Sequence, residues 1–142
     1  MAFKASNIIP AIGYDRARAQ AWKTRQFCIQ MSAALNSQIS AQLVVSINQT
    51  LHSHKSRFEE LTTIPGIVEY AKDQENDPSY NVAAEFTVML SLLDDAIATI
   101  EATSTNVLIN DWSISGISWN DFTPSQMNGL KSNLDAIVAA VI

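Results

Sequence analysis

From Tyr14 to Ile64 the chain has neither glycine nor proline, and apolar residues recur through it at intervals of three and four. That is the period of one helix face. Ala17, Ala21, Cys28, Met31 and Leu35 share a side, flanked by Trp22 and Ile29, which predicts a first helix over about 15–35 with Asp15 as its N-cap. The polar run Asn36-Ser37-Gln38 marks a break, so the helical region 15–62 reads as two helices or one bent one. Beyond it Ile39, Leu43, Ile47, Leu51, His54, Phe58 and Leu61 form the clearest amphipathic pattern in the chain. A helix over 40–62 would be about 35 Å long at roughly 1.5 Å per residue.

Pro65-Gly66 stops that helix, and Ile67 to Gln74 has room for two further turns. Asp77-Pro78 has the chemistry of a helix start, since the carboxylate accepts from free backbone amides and proline suits the first helical position. A helix is therefore predicted over 78–103, with Val82, Phe86, Met89, Leu90, Leu93, Ile97 and Ile100 on its apolar face. Across 105–122 branched and aromatic residues flank Asn110-Asp111, a pattern of a short hairpin or ordered loop projecting from the bundle. Thr123, Pro124 and Gln126 form a second helix start, with a capping box, for a last helix over 124–142 that stays apolar to Ile142. Residues 1–13 form an apolar arm with Phe3, Ile8, Ile9 and Ile12 around Pro10, to be packed on its own bundle or on a neighbour. The predicted fold is one all-α domain, 1–142, a bundle of about four main helices with the short β-like excursion before the last.

A chain of 142 residues can bury a core without disulfides or metals. The single cysteine, Cys28, sits among Phe27, Ile29 and Met31 and reads as a small apolar filler. No signal-peptide core and no membrane-length apolar run is found, so the expectation is a soluble protein made in the cytoplasm. Net charge is -5, unevenly spread. Residues 1–58 hold seven Lys and Arg against Asp15 alone, whereas residues 59–142 hold Lys72 and Lys131 against thirteen acids. The complementarity acts either within one molecule or between copies in a head-to-tail contact, and both readings stand at the level of sequence.

Chemistry is sparse. His52 and His54 point to different sides of a helix and cannot share a metal, and neither has a glutamate three residues before it, as a di-iron bundle requires. Glu59-Glu60 and Asp94-Asp95 are adjacent pairs that diverge by about 100° on a helix and suit a solvated face. With four glycines, no phosphate-binding loop and no nucleophile elbow, no catalytic residue, cofactor or metal is predicted. An enzyme would need a polar pocket joining Glu85, Asp94 or His54. The basic patch Arg16, Arg18, Lys23 and Arg25 beside Trp22 could touch phosphate, but helix-surface solubility or protein contact ranks ahead of phosphate binding. Candidate partner-contact residues are Phe3, Ile8, Ile9, Arg16, Arg18, Lys23, Arg25, Trp112 and Trp119.

Pro65-Gly66, Tyr70-Ala71, Asp77-Pro78, Tyr80, the run VAAEFT at 82–87 and the run FTPSQMNGLKSNLDAI at 122–137 together resemble a family of small virion structural proteins of tailed bacteriophages. The resemblance covers the second half of the chain. It implies a non-enzymatic part of the virion, made in the host cytoplasm, of the head-to-tail adaptor or connector type. Such a subunit forms a homo-oligomeric ring below the portal, touches portal or tail proteins, and extends a negatively lined channel through which DNA passes without specific binding. The alternatives are a capsid decoration or tail structural protein, or a small cytoplasmic regulator that binds a protein through its basic helix.

Overall fold

The computed structural model describes residues 3–7, 13–37, 41–102 and 124–142. Five helices account for most of them: α1 (Tyr14–Ser37), α2 (Ala41–Leu61), α3 (Ile67–Glu75), α4 (Val82–Glu101) and α5 (Pro124–Ala139). The fold is all-α. The region 15–62 is two helices, and the predicted hairpin at 105–122 lies outside the described residues.

The four long helices form a ring in which α1 touches α2 and α5, and α4 touches the same two, while the short α3 bridges α1 and α4. Cross-helix bonds fix the directions. Ser32 Oγ donates to Asp135 (2.9 Å) and Lys131 Nζ to Asn36 (2.8 Å), so α5 runs antiparallel to α1. Lys55 pairs with Asp94 (2.7 Å) and His52 with Glu101 (3.2 Å), which sets α2 against α4. Asn133 Nδ2 donates to Thr99 Oγ1 (2.6 Å) and reaches the Asp95 carbonyl (3.3 Å), while Gly129, one turn earlier, lies against Thr99, so α4 and α5 also run in opposite senses. The result is an up-down-up-down bundle, the arrangement that lets short connections join neighbouring helices.

The core is the set of stripes read from the sequence. Ala17, Ala21, Cys28 and Leu35 of α1, Val44, Ile47, Leu51 and Phe58 of α2, Met89, Leu93 and Ile100 of α4, and Leu130, Leu134 and Ile137 of α5 join in one buried cluster. Phe3 was expected as a partner contact and is instead part of this core, 1 % exposed. Its ring lies 5.6 Å from that of Phe58 and 5.4 Å, edge-on, from that of Phe86, distances at which aromatic rings attract beyond their burial alone. Backbone bonds hold it there: Phe3 N donates to Ala140 O (2.9 Å), Ile142 N to Phe3 O (2.7 Å) and Ala5 N to Ile142 O (3.1 Å). This bridge, with Val141 opposite Phe3, explains why α5 ends at Ala139 and not at 142 as its apolar pattern predicts. Residues 140–142 are claimed by the extended pairing.

Two helix starts differ from expectation. Asp15 lies inside the first turn of α1 and not at its cap, because Gly13 takes a positive φ of 54° and its carbonyl receives the Arg16 amide (3.1 Å). A side chain at Gly13 would also meet the Tyr70 ring at 3.2 Å. Asp77 caps a turn: its Oδ1 accepts from Ser79 N (3.0 Å) and Ser79 Oγ (2.7 Å), and its carbonyl accepts from Tyr80 N (3.1 Å). The cap of α4 is Asn81, whose Oδ1 accepts from Ala84 N at 3.2 Å. Asn76, with φ 52°, closes α3, its amide and that of Asp77 returning to the Asp73 and Lys72 carbonyls.

Phe3→Ala is expected to cost about 3–4 kcal/mol in denaturant unfolding, the range for emptying a buried aromatic site. Asn81→Ala should cost about 1 kcal/mol through loss of the α4 cap, and Asp77→Ala less than that. Equal costs for the two Asx residues would contradict the assignment of the cap.

Candidate functional site

The basic residues of α1 divide by helical geometry. Arg16 and Lys23 are seven positions apart and share a stripe, while Arg18 and Arg25 form another about 160° away. Arg18 is turned inward. Its guanidinium pairs with Glu75 (3.6 Å) and Asp15 (3.5 Å) and lies over the Tyr14 ring, 5.9 Å from its centre. Glu75 also receives Lys4 (3.0 Å) and the Tyr14 hydroxyl (2.8 Å), and Tyr14 Oη lies 3.2 Å from Tyr80 Oη. This cluster joins the arm, α1, α3 and the α4 entry. Burial, followed by its bonds to Tyr80 and Glu75, pushes the Tyr14 phenol far above its ordinary range, so it stays a neutral donor.

Arg16 and Lys23 are exposed and line a groove of about 400 Å³ between α1 and α2, whose other walls are Ala19, Gln20, Arg57, Glu60 and Leu61. Arg57 is the residue that sequence reasoning missed. It follows His54 by three positions, hence lies on the same side of α2, and His54 faces α1. Arg25 is half-buried, its Nε buried with no hydrogen-bond partner among the described residues. Ile8, Ile9, Trp112 and Trp119 lie outside the described residues.

Beneath the groove His54 is buried, with Nδ1 2.7 Å from Gln20 Nε2 and 2.8 Å from Thr24 Oγ1 and its ring stacked on Phe27 at 5.4 Å. The Gln20 amide nitrogen only donates, so Nδ1 accepts and the imidazole is neutral with its proton on Nε2. Burial, then the charges of Arg57 and Lys23, lowers its pKa from 6.5 to about 4. The three groups named above as an enzyme's requirement do not meet. His54 bonds to α1, Asp94 pairs with Lys55 on the α2–α4 face, and Glu85 is buried in the first turn of α4. Cys28 is buried, and its thiol is pushed up to about 12 chiefly by that burial.

Among the described residues no three His, Cys, Asp or Glu side chains gather as a metal site, and no helix is long and apolar enough to cross a membrane. No family model, curated protein or solved structure is significantly similar to the chain.

The His54 environment has a measurable consequence. An unfolded imidazole takes up a proton below about pH 6.5, whereas the folded one resists until about pH 4, so stability falls as pH drops through that window and levels off beneath it. His54→Gln keeps a polar side chain without the titration. The wild type is expected to lose about 2 kcal/mol more than His54→Gln between pH 7 and pH 4 in parallel denaturant unfolding.

Proposed function

We propose that the chain is a non-enzymatic structural subunit of a tailed-phage virion, a head-to-tail adaptor or connector that assembles with copies of itself into a ring below the portal and extends the DNA channel. What carries this reading is where five of the six resembling segments come together, the sixth lying in α5 from Pro124 onward. Pro65-Gly66 forms the left-handed turn after α2, Tyr70-Ala71 lies in α3, Asp77 to Tyr80 makes the capped turn, and 82–87 opens α4, one continuous corner of the bundle. The same corner holds an apolar depression of about 230 Å³ lined by Ile67, Val68, Ala83, Phe86 and Leu90, with Thr62 and Thr87 at its polar edge. Val88 (48 %) and Tyr70 (40 %) are large apolar side chains left exposed on these two helices. A helix whose outer side is also apolar supports burial against another protein surface.

The acid-rich second half supports a negatively lined wall. Asp94, Asp95 and Asp135 are exposed on α4 and α5, and Lys55 neutralises one of them. A surface of that sign repels the DNA backbone and lets it slide without adhering.

Native mass spectrometry of the purified protein, alone and with its cognate portal, tests the assembly. A closed ring, formed alone or on the portal, is expected, and Ala83→Arg at the rim of the depression should abolish it while leaving helicity and thermal unfolding unchanged. A stable monomer that does not join the portal would overturn the reading.

A further inference from the structure

The opposite charges of the two halves of the chain are partly spent inside the molecule. Lys4 and Arg18 end on Glu75, and Lys55 ends on Asp94. Arg16, Lys23 and Arg57 do not. None of them makes an ion pair among the described residues, all are exposed, and all line the α1–α2 groove. Among the described residues Glu60 is the one acid on the groove wall, and it is likewise without an ion pair there. Like charges held on one concave surface repel each other, an unfavourable arrangement that a counter-anion relieves.

From this we infer that the groove between α1 and α2 binds a compact tetrahedral dianion, an inorganic phosphate or a phosphate monoester, between Arg16, Lys23 and Arg57. Three cations and the Glu60 carboxylate leave a local charge of +2, which matches a dianion and exceeds what a single carboxylate would neutralise. Ala19 and Gln20 line the groove between Arg16 and Lys23, and Gln20 is held by its bonds to Thr24 and His54. The two guanidinium groups present planar pairs of donors suited to phosphate oxygens, and Lys23 adds a point charge.

The size of the ligand follows from screening. At physiological salt, charges more than about 8 Å apart interact weakly, so a small anion inside the groove experiences its cations and little of the net -5 of the whole chain. A polyanion such as DNA would extend beyond the groove onto the acidic remainder. His54 lies beneath and serves as an internal reporter. Arg57 and Lys23 help to hold it neutral, so an anion that offsets their charge raises its pKa.

The test is a heteronuclear NMR titration of the full chain at pH 8 and low ionic strength with inorganic phosphate. Sodium chloride at matched ionic strength, sodium acetate and a short DNA duplex are the comparison arms. Saturable shifts at Ala19, Gln20, Lys23 and Arg57 are expected, with a midpoint in the low millimolar range that weakens about tenfold between roughly 20 and 200 mM salt. Arg57→Gln and Lys23→Gln, both at exposed positions, should each weaken it at least about fivefold with unchanged thermal unfolding, as expected of a charge-assisted contact. In a second arm sulfate, which remains a dianion in acid, should raise the His54 titration midpoint above about 4. Linear shifts that sodium chloride reproduces, acetate binding as tightly as phosphate, tighter binding of the duplex, full affinity in both variants, or a His54 midpoint indifferent to sulfate would each overturn the site. Because the titration uses the isolated chain, its failure leaves the proposed ring assembly unaffected, and failure of the ring leaves the groove unaffected.

Discussion

Burial of one ring, that of Phe3, organises the base of this bundle. The side chain comes from a segment with no helix of its own, yet it packs against both Phe58 of α2 and Phe86 of α4, whose own rings meet edge-on at 6.4 Å. An aromatic ring moved wholly from water into a core stabilises by about 2–3 kcal/mol, which offsets part of the cost of ordering a short arm at about 1–2 kcal/mol per residue. The three backbone bonds between residues 3–5 and 140–142 satisfy amides and carbonyls that this burial would otherwise strand. Once Phe3 is seated, residues 140–142 pair with the arm and α5 stops at Ala139.

Around that apolar contact lies a polar one. Glu75 accepts from Tyr14 and pairs with Lys4 and Arg18, so a single carboxylate, its side chain 9 % exposed, ties together the arm, α1 and α3. A buried charge is costly alone and tolerable when surrounded by donors, and here two cations and a phenol surround it. The arrangement also determines which charges remain for the outside. Arg18 is taken inward and Arg16 is left in the groove, though they are two residues apart. The apolar corner of α3 and α4 and the cationic groove of α1 and α2 lie on different helix pairs.

Much of this was legible in the chain. The four long helices follow from three- and four-residue spacing, because a stripe that wide has only one way to leave water, and the stripes of α2 and α4 reappear almost residue for residue in the core. The start of α4 was misplaced by four residues for an instructive reason. Asp77 and Asn81 both have side chains able to cap, and the choice falls to Tyr80, which is fully buried against Tyr14 and needs an extended entry to get there. Phe3 carried no signal that separated its own core from a neighbour's. Arg57 was hidden because the groove exists only once α1 and α2 are set side by side, whereas the separation of Arg16 from Arg18 was present in the helical period itself.

The arm is an integral part of the bundle, and amide hydrogen exchange measures that directly. The amides of Phe3, Ala5 and Ile142 are expected to be protected like those in the middle of α2 and α4 and to exchange only when the helices unfold. Exchange of these three at the rate of an unstructured peptide, while the helices remain protected, would contradict it.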